Sequence, residues 1–275
     1  MSRGRTLIIG YGIVGQAVYK ACHGERRKCD ILDPPKDITI EKPYDYYDRI
    51  IICVPTPMLV DGLGYPPDMA STGKCDDSLV VDYVHDIREN NEAIPILIKS
   101  TTSIDTIHSF KHDLAITYNP EFLTEHNANE DFRRQKFAIF GGNQARYWHM
   151  FFRISGVRFD KVRYTDIYKA AYAKYTINCF LAVKVIFFNQ LREMYGDYNF
   201  DQLTEIIAMD ERIGPSHMMV PGPDGVMGYG GMCFPKDTEA FAYEAREMEH
   251  PLTLLEHAMA VNNGYRFPDN PDYSL

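Results

Sequence analysis

The chain has 275 residues, a mass of 31.6 kDa and a pI near 5.5, with 29 Lys+Arg against 38 Asp+Glu for a formal net charge of −9. Hydrophobic residues make up 45% and charged residues 24%, a balance that excludes a disordered or collagen-like chain and suits one large or two ordinary globular domains. The acidic surface excludes phosphate-backbone binding as the main task, so no nucleic-acid partner is expected, although one small anion can still sit in a local pocket.

Cys22, Cys29, Cys53, Cys75, Cys179 and Cys233 are too sparse for a disulfide framework, and no two lie three apart. A reducing, cytoplasmic setting follows, with no metal site. Arg3 and Arg5 precede an apolar run, but Gly10, Gly12 and Gly15 interrupt it and no small-residue cleavage site follows. The apolar stretch Cys179 to Phe188 contains Lys184 and is too short to span a bilayer, so no membrane partner is expected.

In chain order, Thr6 to Ile9 reads as a strand running into Gly10-Tyr11-Gly12-Ile13-Val14-Gly15. A helix from Gln16 to about His23 follows, then a strand from Cys29 to Leu32 ending at Asp33. Strand, glycine turn, helix, strand and an acid 18 positions after Gly15 match the dinucleotide-binding fingerprint. Gly10 permits the tight turn, Gly12 lets backbone approach a pyrophosphate, and Gly15 permits close helix–strand packing. Asp33 would bind the adenosine ribose hydroxyls and repel a 2′-phosphate, which favours NAD over NADP.

Further strands are read at Arg49 to Val54, Ile94 to Lys99, Leu114 to Tyr118, Phe137 to Phe140 and Val157 to Val162. Asp77 to Asn90 reads as a helix and Met58 to Cys75 as a loop. The alternation predicts an α/β fold, a Rossmann-type parallel-sheet domain over residues 1–164. From Asp166 to about Tyr195 there is no Pro or Gly and apolar residues recur at helical spacing. A helix over Phe200 to Met209, a loop over Ile213 to Met232 and one final helix from about Asp237 past Ala260 complete an all-α domain over 165–275.

Cys233 lies in a glycine-rich turn with Lys236 nearby. A lone cysteine is more often a buried small hydrophobe, but glycines allow close backbone approach and a lysine favours thiolate. Lys174 and Asn178 are four apart on one helix face. Taken alone, Lys174 is a solvated helix lysine; together they could donate to an oxyanion. Glu121 follows Pro120 and could be a helix-start carboxylate, Asp237 could be an N-cap of the final helix, and Arg212 could be an arginine at a helix end.

The strings NPEFLTE (119–125), AKYTINCFLAVK (173–184) and DERIGPSH…GYGGMCFPKD (210–237), with CVPTP (53–57), KST (99–101) and the glycine turn, resemble the UDP-glucose/GDP-mannose dehydrogenase family. The resemblance runs from residue 6 to about 265. It implies a four-electron oxidation of a nucleotide sugar's C6 alcohol to a carboxylate with NAD, UDP-glucose being the favoured substrate. Cys233 would be the nucleophile that forms a thioester, and Lys174 with Asn178 would stabilise the oxygen at C6. Glu121 would be the acid/base for thioester hydrolysis, Asp237 would orient water and lysine, and Thr101 would position the water. The cofactor would lie against the Gly10–Gly15 turn, Asp33, Val54, Pro55 and Thr56, with Glu125 near its nicotinamide end. Phe122, Leu123, Tyr229 and Gly230 would hold the sugar, and Arg212 would reach the substrate of a neighbouring subunit in a homodimer built on the long helix.

The pattern departs from the family at KSTTSIDT, at His126 and at Met232. Family members also continue into a further α/β domain that grips the nucleotide, whereas this chain stops at Leu275. That implies a compact, viral or phage-type form lacking this domain, or one completed by a partner chain. Two other readings stand beside the active enzyme: a catalytically impaired NAD-binding subunit, and a two-electron 3-hydroxyacid-type dehydrogenase.

Overall fold

The computed structural model describes residues 4–23, 28–60, 71–123, 127–196 and 198–269. The chain packs as two compact units, Met1–Pro57 with Cys75–Lys174, and Met58–Lys74 with Tyr175–Leu275. The division falls inside the long helix, past the change in composition at residue 164.

The first unit is built on a seven-stranded sheet. Its strands are β1 (Arg5–Ile9), β2 (Lys28–Leu32), β3 (Arg49–Ile52), β6 (Ile96–Ile98), β7 (Ile116–Tyr118), β8 (Arg134–Gly141) and β9 (Arg158–Thr165), in the spatial order β2-β1-β3-β6-β7-β8-β9. Ile50, Ile51 and Ile52 are all fully buried, as a strand covered on both faces requires. The helices are α1 (Ile13–Cys22), α2 (Ser78–Asn90), α3 (Ile104–Ser109), α4 (Ala128–Arg133) and α5 (Ala145–Ile154). Val18, Phe132, Trp148 and Phe152, one or two from each of α1, α4 and α5, form a core with Ile8, Ile51 and Leu97. Short 3-10 turns, Pro34–Lys36 and Tyr44–Tyr46, stand where a crossover helix between β2 and β3 would be; the segment is too short to hold one.

The strands from β2 to β7 pair in parallel, as do β8 and β9. One pairing differs from the parallel expectation: β8 meets β7 antiparallel, through Gly141 and Tyr118. Residues 119–123, which follow Tyr118, are irregular. The helix that remains, α4, is only six residues, about 9 Å at 1.5 Å per residue, and is too short to return the chain for a parallel start.

The second unit contains the ribbon β4 (Met58–Val60) and β5 (Ser71–Cys75), which the sequence reading takes as loop. Gly73 adopts φ +75°, and a Cβ there would stand 3.0 Å from Tyr243; residues 61–70 lie outside the described residues. The long helix is α6 (Ile167–Tyr195), followed by α7 (Phe200–Ala208). By length and composition α6 could cross a membrane. Within this unit, however, Tyr175, Ala182, Ile186, Phe188 and Asn189 are buried, and Ala182 and Ile186 pack with Ala258 and Val261, which is how a soluble core helix is used.

The single final helix of the sequence reading is two: α8 (Phe234–Glu247) and α9 (Thr253–Arg266). Glu249 takes φ +60°. His250 N–H donates to Ala245 O at 2.8 Å and Glu249 N–H to Arg246 O at 2.9 Å, a Schellman stop. Pro251 follows and disfavours helical backbone at the residue before it.

Candidate active site

The glycine turn is set by close backbone contacts. Gly10 has φ +90°, and a Cβ there would lie 2.5 Å from Cys53 O; at Gly15 a Cβ would lie 2.0 Å from Gly10 O. Nothing stands within 4 Å of the Cβ position of Gly12, the N-cap of α1. The open space lies at the helix end whose free N–H groups favour an anion. Ile13 is exposed and Val14 half-buried. Asp33 follows β2, is 8% exposed, accepts from Tyr11 N–H at 2.9 Å and pairs with Lys36 at 3.3 Å. These residues fit a dinucleotide: a cradle free of side chain at Gly12, a helix N-terminus, and a carboxylate at the end of the second strand.

The loops after β3 and β6 are tied together. Thr56 Oγ1 donates to Thr101 O at 2.6 Å and Ser100 Oγ to Val54 O at 2.7 Å. Thr101 is half-buried, while Pro55 is exposed. Burial pushes the Cys53 thiol up to about 12, with the Lys99 ammonium opposing and Glu121 reinforcing the shift. Cys53 is therefore a neutral core thiol at physiological pH.

After β7 the chain carries Asn119 and Glu121 in an irregular loop, not at a helix start as the carboxylate after Pro120 could have been. The organising group is one the sequence reading leaves unassigned. Lys99, 1% exposed, places Nζ 2.8 Å from Glu121 Oε2 and donates to Asn119 Oδ1 at 2.8 Å. Its signal was an ionisable residue at the end of an otherwise apolar strand. Glu121 Oε1 accepts from Phe122 N–H at 2.9 Å, so the amide expected to hold the sugar is engaged within the loop. Lys174, also buried, donates to the backbone oxygen of Glu121 at 2.6 Å and lies 5.0 Å over the Phe122 ring. Phe122 stacks on Phe137, 4.6 Å between centroids, and Leu123 packs on the core of this unit. Glu125 lies outside the described residues.

In the second unit Asp237 is 1% exposed and uses both oxygens. Asn178 Nδ2 donates to Oδ2 at 2.6 Å and Lys236 Nζ to Oδ1 at 2.7 Å. The N-cap of α8 is Cys233, not Asp237, which lies in the helix's first turn. Cys233 is exposed and the other five cysteines are buried; none of the six is disulfide-bonded. The segment before it is held by side chains. Gly228 N–H donates to Asn189 Oδ1 at 2.8 Å, Tyr229 N–H to Asn262 Oδ1 at 2.7 Å, and Arg266 Nε donates to Tyr229 O at 3.1 Å. Asn189, Asn262 and Arg266 sit inside helical patterns where the sequence marks them only as polar positions. Burial raises the Tyr229 phenol above its ordinary range. Arg212 lies beyond the end of α7, 89% exposed at its side chain, and forks onto its neighbour Asp210.

The chain matches two models of one family: the NAD binding domain of the UDP-glucose/GDP-mannose dehydrogenase family over residues 35–154 and that family's central domain over residues 168–264. The first match starts after the glycine turn, which therefore stands on its own geometry. A UDP-glucose 6-dehydrogenase of Rhizobium meliloti (strain 1021) is 30% identical over 219 residues, 72% of this chain and 48% of that protein. The chain thus spans about half the length of that relative. Among solved structures, a UDP-glucose dehydrogenase from Pyrobaculum islandicum superposes with a TM-score of 0.73 at 22% identity, covering 94% of this chain and 68% of that one. A 3-hydroxyisobutyrate dehydrogenase of Mycobacterium tuberculosis gives 0.66 at 15% identity, covering 94% and 92%. At these identities the structures speak for the fold alone.

The Lys99–Glu121 pair makes a direct prediction. Glu121→Ala leaves a buried ammonium without its counter-ion and should destabilise the protein by about 3–5 kcal/mol, whereas Glu121→Gln keeps an acceptor and the volume and should cost clearly less. Urea unfolding of both variants checks this, and a small, equal loss in both would contradict it.

Proposed function

This chain belongs to the UDP-glucose/GDP-mannose dehydrogenase family, and on that premise we propose that it is an NAD-dependent nucleotide-sugar 6-dehydrogenase. The substrate class is a nucleoside-diphosphate sugar with a free C6 alcohol, UDP-glucose first among them, and the product is the uronate. The observation that carries this reading is Cys233: the exposed thiol among six cysteines, at the N-cap of a 14-residue helix, where negative charge on a ligand or side chain is stabilised.

NAD supplies a hydride acceptor for each of the two oxidations; Gly10, Tyr11, Gly12, Ile13, Val14, Gly15 and Asp33 would hold it, with Val54, Pro55 and Thr56 from the next strand end. The chain's own residues do the rest. Lys174 and Asn178, one turn apart on α6, donate to the oxygen on C6 as it gains charge. Loss of a first hydride from C6 and of the alcohol proton gives the aldehyde; the Cys233 sulfur adds to its carbon as the thiol proton passes to the oxygen, and loss of that proton with a second hydride leaves a thioester. Water then adds to the thioester carbonyl as Glu121 accepts one of its protons; the C–S bond breaks, the sulfur leaves as thiolate, and the acid so formed loses its remaining proton to become the uronate. Asp237, fastened to Asn178 and Lys236, keeps both donors oriented. Thr101 positions the water. Phe122, Leu123, Tyr229 and Gly230 line the sugar.

The assembly read with this function is a homodimer through α6. Phe180, Phe187 and Met194 recur at seven-residue spacing and are 68%, 61% and 79% exposed, an apolar stripe of the kind a second helix covers. Arg212 would act across that dimer. Six cysteines without a disulfide fit a cytoplasmic setting. Two tests follow. With NAD and UDP-glucose the protein should form two NADH and one carboxylate per sugar consumed, and Cys233→Ala should lower turnover more than about 10³-fold; one NADH per substrate with Cys233→Ala fully active would support the two-electron reading instead. Phe187→Glu should convert the dimer to monomer in light scattering, and an unchanged mass would remove α6 as the interface.

A further inference from the structure

The twenty residues from Ile213 to Met232 contain neither helix nor strand, yet Cys233 is presented from their end. Irregular backbone keeps one shape only where its polar groups find fixed partners. Here they come from two helices: α6 holds Ile213, Gly214 and Val220 through Lys184 and Arg192, and α9 holds the part next to Cys233. The two peptide units flanking Tyr229 are both held: Asn262 Oδ1 accepts the Tyr229 N–H at 2.7 Å, and Arg266 Nε donates to the Tyr229 carbonyl at 3.1 Å. The two side chains are four apart, on one face of the helix. Arg266 also donates from Nη2 to Asp224 Oδ2 at 2.6 Å, tying an earlier part of the same loop to the same guanidinium. Asn189 on α6, fully buried, takes Gly228 N–H.

The guanidinium also passes directly over Gly230. A Cβ there would stand 1.4 Å from Arg266 Nη2 and 2.6 Å from Cζ. A flexible arginine could ordinarily step aside from such a collision. This one is 14% exposed at its side chain and would have to give up both Asp224 and the Tyr229 carbonyl to do so. Gly231, at φ +75°, then turns the chain toward Cys233, the cap of α8.

We propose that Arg266 is a positioning residue for Cys233, its guanidinium clamping Asp224 and Tyr229 and seating Gly230 so that the thiol is held at the helix cap. The proposal rests on the reading of Cys233 as the nucleophile but does not need the dehydrogenase reaction for its test. An arginine that only joined two surface groups would contribute little and would not be sensed at Cys233. The clamp acts through the backbone between Tyr229 and Cys233, so its loss should be read at the thiol before it is read in global stability.

The experiment is iodoacetamide alkylation of Cys233 in the full chain, followed by peptide mass spectrometry across a pH series, for wild type, Arg266→Lys, Arg266→Ala, Gly230→Ala and the double variant Gly230→Ala/Arg266→Ala. Releasing the thiol from the cap should move the alkylation midpoint upward by about one pH unit in Arg266→Ala, about tenfold in rate at neutral pH, with partial recovery in Arg266→Lys. Gly230→Ala should slow the wild type similarly but add less than about twofold in the Arg266→Ala background, because the collision partner is gone. Coincident pH profiles for wild type and Arg266→Ala, or single effects that simply multiply in the double variant, would overturn the proposal. If Arg266→Ala fails to fold, Gly230→Ala and Arg266→Lys decide it: wild-type profiles in both overturn it. A shifted profile in a protein that turns over no nucleotide sugar would sink the proposed function and leave the clamp standing.

Discussion

A lysine ammonium with 1% exposure has to be answered by its surroundings, and in the first unit much else follows from how Lys99 is answered. Removing such a charge from water costs several kcal/mol unless counter-charge and hydrogen-bond acceptors surround it. Glu121 supplies the counter-charge and Asn119 the acceptor, and Asn119 is itself pinned by donating to Ile139 O at 2.7 Å. The rings of Phe132 and Phe152 lie 5.3 and 5.9 Å from the ammonium. The loop after β7 is thereby tied to the end of β6 and to β8. Its backbone oxygen at Glu121 becomes a fixed acceptor for Lys174. An irregular segment acquires the rigidity of the sheet beneath it.

The second unit solves a similar problem with side-chain amides and a guanidinium. A glycine-rich loop must deliver a thiol, and glycines carry no side chains to hold it. Amides from Asn189 and Asn262 and the Arg266 guanidinium bind its backbone instead. Asp237 joins the cap of α8 to α6, since its carboxylate takes Asn178 while its N–H donates to Cys233 O at 2.9 Å. In both units the groups closest to the proposed chemistry are few, and the ones that make them precise lie a step behind.

Periodicity and local punctuation carry what was legible in the sequence. The strand–glycine–helix–Asp33 unit, the buried Ile50–Ile52 strand and the long helix from residue 167 all express local rules: steric freedom, continuous burial and absence of breakers. The ribbon at Met58–Val60 and Ser71–Cys75 was not legible, because its arms are only three and five residues long and show no apolar alternation. The break between α8 and α9 was signalled by Pro251 but needed the positive φ of Glu249, which no residue type announces. The antiparallel meeting of β7 and β8 depends on how much chain the site loop consumes. Lys99, Asn189, Asn262 and Arg266 were hidden for a common reason: a polar residue in a strand or helix looks solvated until tertiary packing buries it. The motif strings brought Cys233, Lys174, Asn178, Asp237 and Glu121 forward.

The central claim is that the Cys233 sulfur becomes covalently joined to the C6 carbon of a nucleotide sugar during oxidation. Rapid acid quenching of the protein with NAD and UDP-glucose, followed by mapping of the Cys233 peptide by mass spectrometry, tests it most directly. The account predicts a uronyl thioester on Cys233 that appears within the first turnover and is released by hydroxylamine. Turnover to carboxylate with the Cys233 peptide unmodified at every time point would contradict it.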